Sequence, residues 1–542
     1  MGIHDIKIPK MKFKKMKINT DMLEEIDFEN IEKKNLRNRT TPYEEITHYK
    51  TVKEFFLRAI KTYPNRPCIL EKPNHKESYK TTTYEEFGSD VLALGTSLIH
   101  LLNLKDKRVM IIGETQYGWY VSYMAMLCGV GIAVPTDREL PLNELENIIK
   151  RSKASAIIYS EKREEDIKKI QETMPEVEYF IKMQSEEKIN GKNVGIQYLI
   201  DAGKNIIKAG NDSFEKIEID EEEFKILFFT SGTTSNSKGV MLNNRNLAEN
   251  INAVSAYVKI YPMDRLFSIL PLHHCYESTI GFLLPIANGA SIAVCEGLRY
   301  IVQNLQEAKP TAILAVPLLA ESLYKKINEK IVNSKKDKIV NTMISVTNAL
   351  RKAGIDIKKK VFKEIYDNLG GNLRIMVCAA APIDKKVGLW LQDIGITFLQ
   401  GYGLTETAPI SALTPEYNPC VGSCGKAIVQ ADIKIENPNE NGEGEILIKT
   451  PTLMIGYYED EKATKQVIDE EGYFHSGDIG YIDENGYIFI TGRSKNVIVT
   501  QNGKNIYPEE IEMMLDKIDE IKESMVYGAK PDKESKKEEK EL

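Results

Sequence analysis

Short apolar runs alternate with helical stretches from Thr51 to about Ile200, among them Val109-Met110-Ile111-Ile112-Gly113 and Gly131-Ile132-Ala133-Val134-Pro135. Runs of this length bounded by turn residues read as buried strands, so the alternation predicts βαβ units and a mostly parallel sheet. The same texture returns in Phe224-Lys225-Ile226-Leu227-Phe228-Phe229, Leu266-Phe267-Ser268-Ile269-Leu270, Ala290-Ser291-Ile292-Ala293-Val294, Ala312-Ile313-Leu314-Ala315-Val316 and Leu373-Arg374-Ile375-Met376-Val377-Cys378. Between the last two, Glu321 to Leu369 is helical in texture and rich in lysine, which predicts an exposed helical hairpin.

Beyond Val421 the period falls to two, with Gly and Asn-Gly turns between Ala431-Asp432-Ile433-Lys434-Ile435, Gly444-Glu445-Ile446-Leu447-Ile448 and Tyr487-Ile488-Phe489-Ile490. Hairpins of a smaller β-rich subdomain follow from that pattern. A third unit opens at Ser494-Lys495-Asn496-Val497-Ile498-Val499, continues into a helix near Pro508 and ends in a charged run from Lys530 that cannot complete a core. The expected fold is therefore α/β: a large N-terminal domain of parallel-sheet α/β subdomains plus a β-rich subdomain, then a small, truncated α+β C-terminal domain. The boundaries read as an extension over 1–50, a main domain over 51–493 with its β-rich part at about 421–493, and a partial C-terminal hinge domain over 494–542.

Composition narrows the function classes. The 542 residues are 42% hydrophobic and 28% charged, as in soluble globular proteins, and carry a net charge of -7. General nucleic-acid binders usually carry a basic surface to neutralise phosphates, so any polyanion bound here should be small and met locally. Seven scattered cysteines suggest a reducing compartment, consistent with a cytoplasmic protein, and Cys420 and Cys424 lack the second Cys/His pair of a structural zinc site. The basic start, Met1 to Lys17, lacks the apolar core of a signal peptide, and Ile6 stands where myristoylation needs Ser or Thr. Its lysines could touch an anionic membrane surface or form a solvated tail. No apolar stretch reaches the roughly twenty residues of a transmembrane span.

Candidate chemistry begins with Thr230-Ser231-Gly232-Thr233-Thr234-Ser235-Asn236-Ser237-Lys238-Gly239, directly after the Phe224–Phe229 run. Backbone N–H groups, hydroxyls and a lysine at a strand end suit phosphate, although the loop alone could also be a solvated linker. A Walker loop is excluded, because Lys238 is preceded by Ser237 and followed by Gly239. Gln400-Gly401-Tyr402-Gly403-Leu404-Thr405-Glu406-Thr407 gathers an aromatic, glycines, hydroxyls and a carboxylate into a turn after Ile396-Thr397-Phe398-Leu399. An aromatic face suits a purine, and a carboxylate beside hydroxyls suits Mg²⁺. Gly472-Tyr473-Phe474-His475-Ser476-Gly477-Asp478 offers a carboxylate after a tight turn, Ile490-Thr491-Gly492-Arg493 a cation at a strand end, and Leu270-Pro271-Leu272-His273-His274-Cys275-Tyr276-Glu277 a polar and aromatic strand end.

With these five segments in order, residues Thr51 to about Gly528 resemble the adenylate-forming superfamily, most nearly its long-chain fatty-acid CoA ligases. Ser235-Asn236-Ser237 departs from the usual Gly-x-Pro of the signature loop but keeps its hydroxyl and lysine character. The resemblance implies that Thr230, Ser231, Gly232, Thr233, Thr234 and Ser235, with Lys238, hold the β,γ-phosphates of ATP. Tyr402 and Gly403, with Ala380 and Ala381, would meet adenine. Thr405 would contact the α-phosphate, Glu406 the magnesium, and Asp478 and Arg493 the ribose. His274, Tyr276 and Glu277 match the acyl-pocket segment, whereas His273, Tyr120, Tyr123 and Met124 read as structural. Lys495 sits at the hinge, and Gln501-Asn502-Gly503-Lys504 at the stretch that serves thioester formation.

The implied reaction joins a medium- or long-chain fatty acid to ATP and then to coenzyme A, with a carrier protein as the alternative acceptor. The family's C-terminal adenylation lysine has no counterpart: lysines 533, 536, 537 and 540 lie in the charged run. The chain thus reads as stopping partway through that domain, and an impaired nucleotide- or acyl-adenylate-binding protein is a third expectation.

Overall fold

A computed structural model describes residues 41–230 and 237–494, and beyond them short stretches between 496 and 527. The described chain forms two compact units. The first holds the residues up to Ala431 together with Thr450–Lys465; the second holds Asp432–Lys449 and the residues from Gln466 onward. The return of Thr450–Lys465 to the first unit is absent from the hydrophobic pattern, which treats everything past Val421 as one β-rich block.

Two large sheets build the first unit. One runs in the order Lys426–Ala427, Ile410–Leu413, Thr397–Gly403, Ile375–Cys378, Ala312–Ala315, Arg265–Ser268, Ser291–Val294, Pro67–Glu71 and Lys80–Thr83. Its six central strands are parallel and its flanks antiparallel. The other runs Gly456–Tyr457, Gly239–Asn243, Phe224–Phe229, Ile132–Thr136, Arg108–Ile112, Ala156–Tyr159, Tyr179–Lys182 and Asn193–Gly195, parallel except at its first two pairings. The unbroken apolar runs lie where buried parallel strands belong: all four residues of Ala312–Ala315 and of Ile375–Cys378 are buried.

Local capping starts the helices between these strands. Thr83 and Glu86 form a reciprocal capping box for Tyr84–His100, as Asn243 and Asn246 do for Asn244–Ser255. The lysine-rich hairpin is present as Pro317–Asn333 and Asp337–Lys352, but it is not peripheral. Leu319, Leu323, Ile327, Ile331, Val340 and Met343 are buried in the hydrophobic core, and the lysines cover the outer face. Tyr120, Tyr123 and Met124 are fully buried core residues, as expected. All seven cysteines are free and five are buried. Among the described residues no helix is long and apolar enough to cross a membrane.

The second unit has a four-stranded antiparallel sheet in the order Asp432–Glu436, Gly444–Lys449, Phe474–Ile482 and Ile488–Arg493, the predicted hairpins. It also holds the small pair Ile498–Val499 and Asn505–Ile506 and the helix Pro508–Leu515.

Candidate active site

The Phe224–Phe229 strand leads into Thr230, and Gly239–Asn243 returns beside it with Gly239 opposite Phe229. Two hydrogen bonds close the neck of the intervening loop: the Thr230 N–H donates to the Lys238 carbonyl at 3.0 Å, and the Lys238 N–H to Thr230 Oγ1 at 3.2 Å. Ser231, Gly232, Thr233, Thr234 and Ser235 lie outside the described residues. Past the loop, Arg151 holds Ser237 through its Oγ at 2.9 Å and its carbonyl at 2.6 Å, and its guanidinium lies 5.1 Å from the Phe229 ring centre. On the other side, Gly456–Tyr457 pairs with Val240 and Met241, which sets the Tyr457 ring 4.3 Å from the Lys238 ammonium.

The second junction corrects the sequence reading. Tyr402 and Gly403 are not in a turn; the strand extends from Thr397 through Gly403. Its apolar run stops at Leu399, but antiparallel pairing with Ile410–Leu413, Tyr402 opposite Ala412, carries the ladder onward. Gly403 has a packing reason to be glycine, since a Cβ there would lie 1.7 Å from the Pro409 carbonyl oxygen. The turn itself is Thr405–Thr407, in which Thr407 Oγ1 accepts from the Leu404 N–H at 3.1 Å. Glu406 is buried within it, and its Oε1 accepts a 2.8 Å hydrogen bond from the Tyr457 hydroxyl. The Met454 N–H donates to the Glu406 carbonyl at 2.7 Å, so Glu406 is tied to the returning segment through side chain and backbone.

Ala380 and Ala381 are exposed at the carboxyl end of Ile375–Cys378, and Cys378 sits opposite Gln400 on the strand that carries Tyr402. Ligands of open parallel sheets lie outside such strand ends. The Leu270–Glu277 segment leaves the carboxyl end of Arg265–Ser268. His274 is exposed, and its ring lies 4.2 Å from that of His273, whose imidazole burial holds well below its ordinary value. The Tyr276 hydroxyl donates to the Val377 carbonyl at 3.2 Å. Glu277 departs from the strand-end expectation: it opens a π-helical segment, Glu277–Leu283, and is 1% exposed. It accepts from Ser268 at 2.5 Å, Ser268 accepts from Tyr120 at 2.9 Å, and Glu277 Oε2 has no hydrogen-bond partner. Burial pushes its carboxyl up to about 8.

Asp478 and Arg493 come together in the second unit. They are directly opposite on neighbouring strands, with Arg493 Nε donating to Asp478 Oδ1 at 2.7 Å. Asp478 lies within Phe474–Ile482 rather than after a turn, and is 4% exposed. Lys495 and Gln501-Asn502-Gly503-Lys504 lie outside the described residues, as do lysines 533, 536, 537 and 540.

Residues 56–458, spanning the loop neck and the Glu406–Tyr457 pair, match the family described as AMP-binding enzyme. The chain belongs to that family. This AMP-binding enzyme is 28% identical over 509 residues to "Long-chain-fatty-acid--CoA ligase 5" of Rattus norvegicus, covering 88% of the chain and 73% of the relative. It is 26% identical over 536 residues to "Long-chain-fatty-acid--[acyl-carrier-protein] ligase AEE15, chloroplastic" of Arabidopsis thaliana, covering 86% and 73%. Its fold matches that of the anthranilate CoA ligase AuaEII, solved in complex with anthranoyl-AMP, at a TM-score of 0.71 and 17% identity, over 90% of this chain and 86% of that one. The enzyme is an AMP-forming acid–thiol ligase by this kinship.

Two residues at the candidate site of the AMP-binding enzyme escaped the sequence reading. Arg151 lies 86 positions from Ser237, and Tyr457 lies 51 from Glu406. Nothing local in the sequence ties Tyr457 to Glu406 or Arg151 to Ser237. The Glu406 carboxylate and the Tyr457 hydroxyl bonded to it are oxygen groups, which fits Mg²⁺ in preference to softer ions.

Proposed function

We propose that this enzyme activates a medium- or long-chain fatty acid with ATP through an acyl adenylate and transfers the acyl group to coenzyme A. The observation that carries the reading is the buried Glu406 carboxylate, held by Tyr457, whose ring lies against the Lys238 ammonium at the loop neck. An acid and a base are thus fixed beside one loop, as binding a polyphosphate and its counter-ion requires.

The obstacle to the first step is charge, because a carboxylate must approach the α-phosphorus of a polyanion. Its oxygen forms the new P–O bond as the bond to the β-phosphate breaks and pyrophosphate leaves. In this reading Lys238 and the loop N–H groups hold the leaving phosphates, Tyr402 packs on adenine beside Ala380 and Ala381, and Thr405 meets the α-phosphate. Asp478 and Arg493 take the ribose hydroxyls. Glu406 would hold Mg²⁺, which when bound neutralises phosphate charge. In the second step the sulfur of the acceptor thiol bonds to the acyl carbon as AMP departs and the thiol proton passes to solvent. The 26% identity to a carrier-protein ligase supports a carrier-protein thiol as the second reading of the acceptor.

ATP–pyrophosphate exchange, measured over carboxylates from acetate to stearate, tests the first step, and repeating the reaction with coenzyme A or a carrier protein tests the second. Exchange dependent on a fatty acid is expected. Exchange with none of the carboxylates overturns the reading.

A further inference from the structure

In the second unit, four side chains converge that the adenylation chemistry does not use. Glu436 ends the Asp432–Glu436 strand directly opposite Glu445 on Gly444–Lys449. Like charges facing across a strand pair repel. His475 of the next strand faces both, its Nδ1 lying 3.4 Å from Glu445 Oε2 and 3.8 Å from Glu436 Oε2. On the far side of the ring, Nε2 lies 3.7 Å from Asp469 Oδ2.

The arrangement has the order of a metal centre. Glu445 uses Oε1 to accept from the Gly477 N–H at 2.9 Å, and Asp469 uses Oδ1 to accept from the Tyr473 N–H at 2.8 Å. Each carboxylate is thereby oriented by the backbone through one oxygen and presents the other to the imidazole. The donor atoms of Glu436, Glu445 and His475 all lie within 4.8 Å of one another. An ion about 2.0–2.2 Å from each tetrahedral donor spaces those donors about 3.3–3.6 Å apart. The two His475 pairs, at 3.4 and 3.8 Å, already stand within a few tenths of an ångström of that, while the carboxylate pair, within 4.8 Å, would close by up to roughly an ångström or slightly more through side-chain rotation. Among the described residues, His475 is the ion-pair partner of each of these three carboxylates, while Lys434 pairs with Glu471 and acts on Asp469 only at longer range. Three negative charges around one ring leave an excess that a divalent cation would neutralise.

We propose that Glu436, Glu445 and His475 bind a first-row divalent transition-metal ion, zinc by preference, through His475 Nδ1 and one oxygen of each glutamate, with Asp469 as a positioning residue on Nε2–H. The nitrogen donor favours zinc over magnesium or calcium, and a carboxylate behind a ligating imidazole is the usual orienting partner. The four side chains are 27–39% exposed, open enough for exchange with solvent. The site rests on unit geometry alone and is independent of the adenylation reading. It would brace the strand that carries Asp478, because Glu445 links the ion to the Gly477 N–H one residue away.

The test uses the whole chain, stripped with chelator and held in excess Mg²⁺. Zn²⁺ is titrated by calorimetry, and Co²⁺ by its visible absorption. One equivalent of Zn²⁺ should bind with micromolar or tighter affinity, with a Co²⁺ spectrum of low coordination number. Glu436→Gln and His475→Ala should each weaken it at least tenfold, and Asp469→Asn by about 10- to 100-fold. Glu436→Gln is near-isosteric at a strand end, so its circular dichroism and apo melting should match the parent even where His475→Ala fails to fold. Absence of saturable uptake, as a purely imidazolium–carboxylate cluster predicts, overturns the proposal; so does equal uptake by parent and Glu436→Gln.

Discussion

The Tyr457 hydroxyl donates to Glu406 Oε1 at 2.8 Å, and the same tyrosine ring lies 4.3 Å from the Lys238 ammonium. One side chain therefore positions the proposed magnesium ligand and the proposed phosphate lysine. Tyr457→Phe keeps the ring and removes the hydroxyl. Losing a hydrogen bond to a charged group, worth about 1.5–3 kcal/mol, should raise the Mg²⁺ concentration for half-maximal pyrophosphate exchange by about tenfold or more. Glu406→Gln should lower exchange on the order of 10²-fold at saturating Mg²⁺. An unchanged Mg²⁺ dependence in Tyr457→Phe would remove the positioning role.

Asp478 faces Arg493 across a strand pair and is buried, so its carboxylate is oriented before any nucleotide arrives. Asp478→Asn should raise KM for ATP about tenfold and more with less effect on kcat, and should erase discrimination against 2′-deoxy-ATP. Steady-state kinetics with both nucleotides measure this. Retained discrimination would place the ribose contact elsewhere.

Gly403 and Gly401 lie on one strand with opposite tolerance. A Cβ at Gly403 would come within 1.7 Å of the Pro409 carbonyl, whereas at Gly401 the nearest atom is a Leu413 methyl at 3.4 Å. Gly403→Ala should destabilise the protein by ~2–4 kcal/mol and lower its melting temperature, while Gly401→Ala stays close to the parent. Equal melting of the two variants would contradict the packing described.

Glu277 makes stability depend on pH. Burial raises its carboxyl from an ordinary 4.5 to about 8, so between those values the folded chain keeps a proton that the unfolded chain releases. Its contribution is full below pH 4.5 and is lost as pH rises toward 8, a change on the order of 3–5 kcal/mol. Glu71, pushed by burial to about 7, adds the same sign. Denaturant unfolding of Glu277→Gln across this range should show a flatter profile than the parent. A profile as steep as the parent's would mean that Glu277 ionises normally in the fold.

The alternation of apolar runs and helices was enough to predict a parallel α/β body, because strands buried on both faces must be continuously apolar. Ala312–Ala315 and Ile375–Cys378 lie inside such runs. Where hydrogen bonding rather than burial extends an element, the pattern stopped short: Tyr402 joins its strand only because Ile410–Leu413 folds back on it. Glu277 was legible as a residue but not as a buried acid, since the space that admits it comes from Gly281, where a Cβ would lie 2.6 Å from its carboxylate. Asp478 and Arg493 could be named singly, yet their pairing is a matter of strand register, which no residue spacing reports.

The chain crosses between its two units three times, after Ala431, after Lys449 and after Lys465. A single protease cut at any crossing leaves two fragments with no covalent link; after a cut at Ala431, Tyr457 of the second fragment still pairs with Val240 of the first, so packing alone holds the nicked chain together. A gene fragment ending at Ala431 would look like a natural first half by its sequence texture. It would omit Tyr457, and with it the hydroxyl on Glu406 and the edge strand beside the loop. Dissection of this enzyme into separately expressed pieces must therefore splice Thr450–Lys465 back onto the first piece, or the truncated piece will lose its chemistry for reasons unrelated to the part removed.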